Sequence, residues 1–145
     1  MKPFVSVLVC LLMVAGAATA AQPIGKLFIK AADAAVDGQQ FADADLLNTV
    51  KDMKVRHLNF ALVDSEAEAD YLIVVLERKQ EVRHGAAGAL TGLQSFKMIT
   101  ATLSAKSGDS WKPLCKLTEG DPSGWGVAAG VLMSKIQKYV KENVH

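Results

Sequence analysis

The chain has 145 residues, 50% of them hydrophobic, and its 16 basic side chains nearly balance 15 acidic ones. A nucleic-acid partner needs a basic face, and no cluster of Lys or Arg supplies one, so none is expected. With two cysteines, Cys10 and Cys115, a disulfide-stapled scaffold is excluded as well.

The first element is an export signal. Lys2 supplies a positive charge, Phe4 to Val14 is almost unbroken apolar sequence, and Ala18-Thr19-Ala20 places small residues at −3 and −1 of a cleavage site. That pattern predicts a secretory signal peptide over residues 1–20, cut between Ala20 and Ala21. The apolar run falls short of the roughly 20 residues a spanning helix needs. Cys10 is a poor lipid-anchor cysteine, because Val9 precedes it where Gly, Ala or Ser is expected. Residues 21–145 have the length of one domain. Losing Lys2 brings their formal charge to zero, and losing Cys10 leaves Cys115 alone. An internal disulfide is then impossible, and the odd thiol is either buried and inert or joined to another chain. The expected location is periplasmic or secreted, with no membrane span after cleavage.

In the remainder, Lys26–Lys30 (KLFIK) is short and β-prone, a first strand. Residues 31–42 have turn residues and no period, and are expected to form a loop. Asp43 or Asp45 is placed to cap a helix over about Asp43–Arg56, with Leu46, Leu47, Val50 and Met53 on one face. A short strand follows at Leu58–Val63, then the acidic turn DSEAEAD. Tyr71–Leu76 (YLIVVL) is apolar on both faces, which marks a central strand, and it continues with mixed polarity through Val82. After HGAAGALTGLQ, Ile99, Ala101, Leu103 and Ala105 alternate with Thr100, Thr102, Ser104 and Lys106, a half-buried strand.

The turn SGDS leads to the return strand WKPLCKLT. Simple alternation puts Trp111, Pro113, Cys115 and Leu117 on one face. Pro113 cannot donate to a ladder, so this strand belongs at an edge or carries a bulge. The last helix, entered through Pro122 and Ser123, carries the stripe Val131, Leu132, Ile136, Tyr139 and Val140. The predicted order is β-α-β-β-β-β-α: an α/β (α+β) domain with a single mixed sheet of four to five strands, packed by two amphipathic helices.

At LNFALVDSEAEADYLIVVLERK this layout resembles a known periplasmic domain. It is similar to the N-terminal domain of the translocation protein TolB, to the curli-secretion protein CsgG and to the outer-membrane lipoprotein LpoB. It looks closer still to small exported bacterial proteins of the same layout. Ala69-Asp70-Tyr71-Leu72 opening an apolar strand is the best local piece. The resemblance implies a domain that binds other envelope proteins and catalyses nothing. The propeller and pore-forming segments of the larger relatives are absent here, so the fold carries over without the partner.

Three motifs invite chemistry. Gly85, Gly88 and Gly92 lie in a Gly-rich loop, but Leu93-Gln94 follows where a phosphate loop needs Lys and Ser/Thr. The loop is either a plain hairpin connection or a lid, with Leu90, Leu93 and Phe96 folded back over the sheet face that the helices leave bare. Asp64, Glu66, Glu68 and Asp70 lack the glycine and terminal Glu of a calcium loop, so a solvated acidic turn is expected and no metal site. His57 is placed to cap the first helix, and no nucleophile elbow supports hydrolysis by His57, Ser65 and Asp64. Cys115 is expected to be a buried small hydrophobe.

No catalytic residue, cofactor or metal is therefore expected. The expected function is an exported, non-enzymatic envelope protein that binds or scaffolds an envelope partner; self-association is compatible with it. Its candidate surface is Gly85, Gly88, Leu90, Gly92, Leu93 and Phe96 of the loop, Pro113 on the edge strand, and Trp125. Trp125 is either an exposed interface anchor or a packing residue at the start of the last helix. The alternative function is a carrier of a small apolar ligand or lipid, with residues 84–96 as its lid.

Overall fold

A computed structural model describes residues 21–36, 39–41, 43–84 and 92–144. Residues 1–20, where a signal peptide is expected, lie outside the described residues, as do Gly85, Gly88 and Leu90. The elements run β1 (Lys26–Ala31), β2 (Ala34–Val36), β3 (Gln39–Phe41), α1 (Ala44–Val55), β4 (Ala61–Leu62), β5 (Tyr71–His84), β6 (Leu93–Ser107), β7 (Ser110–Asp121) and α2 (Trp125–Asn143). Five strands form one mixed sheet in the order β4-β1-β5-β6-β7. β4, β1 and β5 are parallel, whereas β5, β6 and β7 form an antiparallel meander. The strand that is apolar on both faces, β5, is the middle one, as its composition requires.

Both helices cover the same face. Leu27, Ile29, Ile73, Val75, Ile99, Ala101 and Leu103 point to it and are buried with Leu46, Val50 and Met53 of α1 and Leu132, Met133 and Ile136 of α2. Each large aliphatic side chain buried there contributes about 1.5–3 kcal/mol relative to exposure. Among the described residues the opposite face, with Phe28, Lys30, Val74, Thr102 and Thr118, carries no α-helix. Thr100 and Thr118 hydrogen-bond across it at 2.9 Å, so a buried hydroxyl finds a partner there.

Asp43 caps α1, its carboxylate accepting from Asp45 N at 2.8 Å. At the other end His57 Nδ1 donates to Lys54 O at 2.8 Å, satisfying one of the carbonyls a helix end leaves open. The acidic turn folds as a single 3-10 turn, Glu66–Glu68, laid over the bare face. Glu66 pairs with Lys30 at 2.8 Å and Lys106 Nζ donates to Ala67 O, so strands β1 and β6 hold it down. The hydrogen bond from Lys30 is the main reason that the Glu66 carboxyl titrates below its ordinary range.

Four expectations need correction. Residues 31–42 are not simply a loop: β2 and β3 pair antiparallel, and strands of three residues are too short to show a period. Only Ala61 and Leu62 of the Leu58–Val63 segment join the sheet, because the chain must first turn back from α1. β6 begins at Leu93, not beyond Phe96, so the connection between the long strands is shorter than 84–96. On β7, Trp111 and Pro113 do not share a face with Cys115 and Leu117. Leu103 faces Cys115 and Ser104 faces Pro113, so Leu114 is an extra residue that reverses the alternation. Tyr139 OH fixes the bulge by donating to Leu114 O at 3.2 Å. Pro113 thus sits on an edge strand and beside a bulge, the two places where its missing N–H is tolerated.

Candidate functional site

Of the expected surface the structure describes Gly92, Leu93, Phe96, Pro113 and Trp125, and these five do not form one patch. Gly92 stands just before β6 with φ +71°, and Leu93 is 65% exposed in the first ladder pair, opposite His84. Leu93 and Phe96 are three residues apart on one strand and so face opposite sides of the sheet. Phe96 is on the bare side, beneath the Arg83 guanidinium at 5.5 Å. Pro113, opposite Ser104, is eight residues further along β6, or about 26 Å at roughly 3.3 Å per residue. Trp125 is half-buried on the helix side, under Arg78, which makes it a packing residue. Neither Leu93 nor Phe96 folds back over the bare face.

A different surface is assembled instead between the end of α1 and the outer side of α2. It is an open groove of about 900 Å³, lined by Val55, Leu58, Val127, Val131 and the Arg56 side chain and edged by His57, Lys135 and Lys138. Val55 is 77% exposed, Leu58 45% and Val127 44%. Local folding accounts for the first two. Val55 is the last residue of α1, beyond the stripe that packs. Leu58 has φ +54°, the left-handed region that costs a branched side chain roughly 1–2 kcal/mol. That conformation reverses the chain, letting Phe60 N donate to His57 O at 3.1 Å and sending Phe60 into the core while Leu58 stays outside.

Arg56 crosses the groove floor. A Cβ built on Gly126 or Gly130 of α2 would stand 3.0 Å from its side chain, so these two glycines make the shelf on which it lies. The rim is basic. Lys135 reaches Glu119 at 3.5 Å and Lys138 reaches Glu142 at 3.8 Å, and no acidic residue lines the groove itself. Sequence reasoning missed this site because it places Leu58 in a strand and Val131 in the packing stripe of the last helix, while Val55 and Val127 lie on helix surfaces that look like solvent faces. The one available signal was the pair of valines, Val55 and Val127, lying off the packing stripes.

The residues weighed for chemistry are occupied otherwise. Ser65 Oγ accepts from Ala67 N at 3.2 Å, and the Asp70 carboxylate accepts from Lys26 N at 2.8 Å. Cys115 is half-buried against the core, and burial pushes its thiol up. Among the described residues no three His, Cys, Asp or Glu gather to hold a metal ion, and no helix is long and apolar enough to cross a membrane.

No protein-family model matches the chain. None of the curated proteins matches it either. Among solved structures it is similar to a minor lipoprotein from Acinetobacter baumannii, with 14% identity and a TM-score of 0.43 over 81% of this chain and 93% of that one. The resemblance to TolB, CsgG and LpoB expected from the chain layout is thus supported by no family match.

Proposed function

We propose that the protein is exported and binds another envelope protein without catalysing a reaction on it. The groove between α1 and α2 is the binding surface in this reading. Its occupant is an amphipathic helix of the partner, apolar on one side and flanked by Asp and Glu. The lining carries the reading: exposed Val55, Leu58 and Val127 offer an apolar surface crossed by Arg56, with Lys135 and Lys138 at its edge and basic but no acidic side chains among the lining residues. A helix laid in a groove matches such a surface, and opposite charge along the rim fixes its orientation and speeds encounter. A left-handed Leu58 supports the reading, since strain of that kind collects at functional sites. Export rests on Lys2, the Phe4–Val14 run and Ala18-Thr19-Ala20.

A photoreactive residue at Val127, activated in intact cells, tests it. The expected product is one discrete adduct whose mapped peptide has apolar residues at helical spacing among Asp and Glu. Leu58→Glu and Lys135→Glu should each reduce it. An adduct with lipid instead would favour the carrier reading, and a yield indifferent to both substitutions would remove the groove from the function.

A further inference from the structure

β1 accompanies β5 only as far as Val75, opposite Ala31, with Ala32 N donating to Val75 O at 2.8 Å. Among the described residues nothing pairs with that side of β5 from Glu77 to His84, while its other side stays bonded to β6. A free edge of this length recruits other strands unless charge blunts it. Here the charge alternates. Glu77, Lys79, Glu81 and Arg83 share the face turned away from the helices, and Glu81 pairs with Lys79 at 2.8 Å and Arg83 at 2.6 Å.

We infer that this edge pairs with the same edge of a second copy of the chain, antiparallel about a twofold axis at Gln80. In that register Glu77 of each copy lies opposite Arg83 of the other, and Lys79 lies opposite Glu81. Symmetry doubles both attractive pairs, giving a chequered row of charge across two copies. Moving the axis one residue sets Glu77 against Glu81 or Lys79 against Arg83, like charge on like. An axis between residues turns the helix face of one copy to the bare face of the other. The alternating pattern therefore selects one register and refuses its neighbours. This pairing is independent of the groove.

Directly opposed residues of antiparallel strands have Cα atoms about 4.5–5.5 Å apart, within disulfide reach. In a chain with Cys10 and Cys115 replaced by Ser, Gln80→Cys is expected to oxidise to a covalent dimer, and Val82→Cys is not. In sedimentation, Lys79→Glu should weaken self-association on the order of tenfold or more, since two attractive pairs become repulsive. Lys79→Glu with Glu81→Lys should restore it, because unlike charges face each other again. The pairing is overturned if the unaltered chain stays monomeric up to about 1 mM, the weak end of the affinity scale. It is equally overturned if positions 80 and 82 cross-link alike, or if the double exchange binds no better than the single reversal.

Discussion

The Arg78 guanidinium carbon lies over the Trp125 ring, 4.0 Å from its centroid, while Nη1 donates to Asp45 O at 3.2 Å. One residue of the central strand thus holds the starts of both helices. Arg78 reaches the helix face because the ladder of β5 and β6 shifts between Val75 and Glu77, changing which residues point inward. Its side chain is 14% exposed, so water screens the contact little. Cation–π pairs in such settings are worth roughly 0.5–2 kcal/mol. Urea unfolding of Arg78→Ala, Trp125→Ala and the double variant should give a coupling of about 1 kcal/mol. Strict additivity would mean that the two side chains only touch.

Leu58→Gly separates stability from binding. The substitution relieves a left-handed backbone worth roughly 1–2 kcal/mol but frees the unfolded chain by a comparable amount. The melting temperature should therefore stay within a few degrees of the unaltered protein, while capture through the groove falls. A large loss of stability would make Leu58 a structural residue.

Neighbouring residues of β5 should respond unequally. Ile73 is fully buried beneath the helices, and Ile73→Ala is expected to cost about 2–5 kcal/mol through lost contacts and a cavity. Val74 points to the bare face and is only half-buried, so Val74→Ala should cost clearly less. Equal losses in denaturant titrations would contradict a single covered face.

Glu66 links folding to acid. Its carboxyl is held below the ordinary value of 4.5 by the hydrogen bond from Lys30, with a smaller contribution from Trp111. A lowered folded-state value stabilises the fold at pH above 4.5, and that contribution disappears as the pH falls through the folded value. Between pH 5 and 3 the unaltered protein should lose more stability than Glu66→Gln, read as the shift in melting temperature. Because the pair is over one-third exposed, the difference should be small.

Cys115 should react slowly. Burial raises its thiol above the ordinary value of 9.0, which leaves little thiolate at neutral pH. Alkylation by iodoacetamide at pH 7.5 is expected to be several-fold slower than that of a free thiol such as glutathione, and to reach the free rate after unfolding. Rapid alkylation of the folded chain would point to an accessible cysteine.

Sequence patterns alone determined the order of the two helices and of the five strands of the main sheet, the central place of β5, a carboxylate cap at Asp43 or Asp45, the inward alternation of Ile99, Ala101 and Leu103, and the awkward position of Pro113. These follow from rules that act over a few residues: a strand alternates, a helix repeats every three to four, and proline lacks a donor. Tertiary structure decided the rest. The extra Leu114 reversed the face of Trp111 and Pro113, a shift that appears only when β7 is set against β6. Leu93 and Phe96 became strand because β5 offered them partners. Val55, Leu58 and Val127 became one surface because two helices, each legible alone, were laid side by side on the same face of the sheet. Local chemistry specifies which way a side chain points from its own backbone; which other backbone it meets depends on contacts between distant parts of the chain.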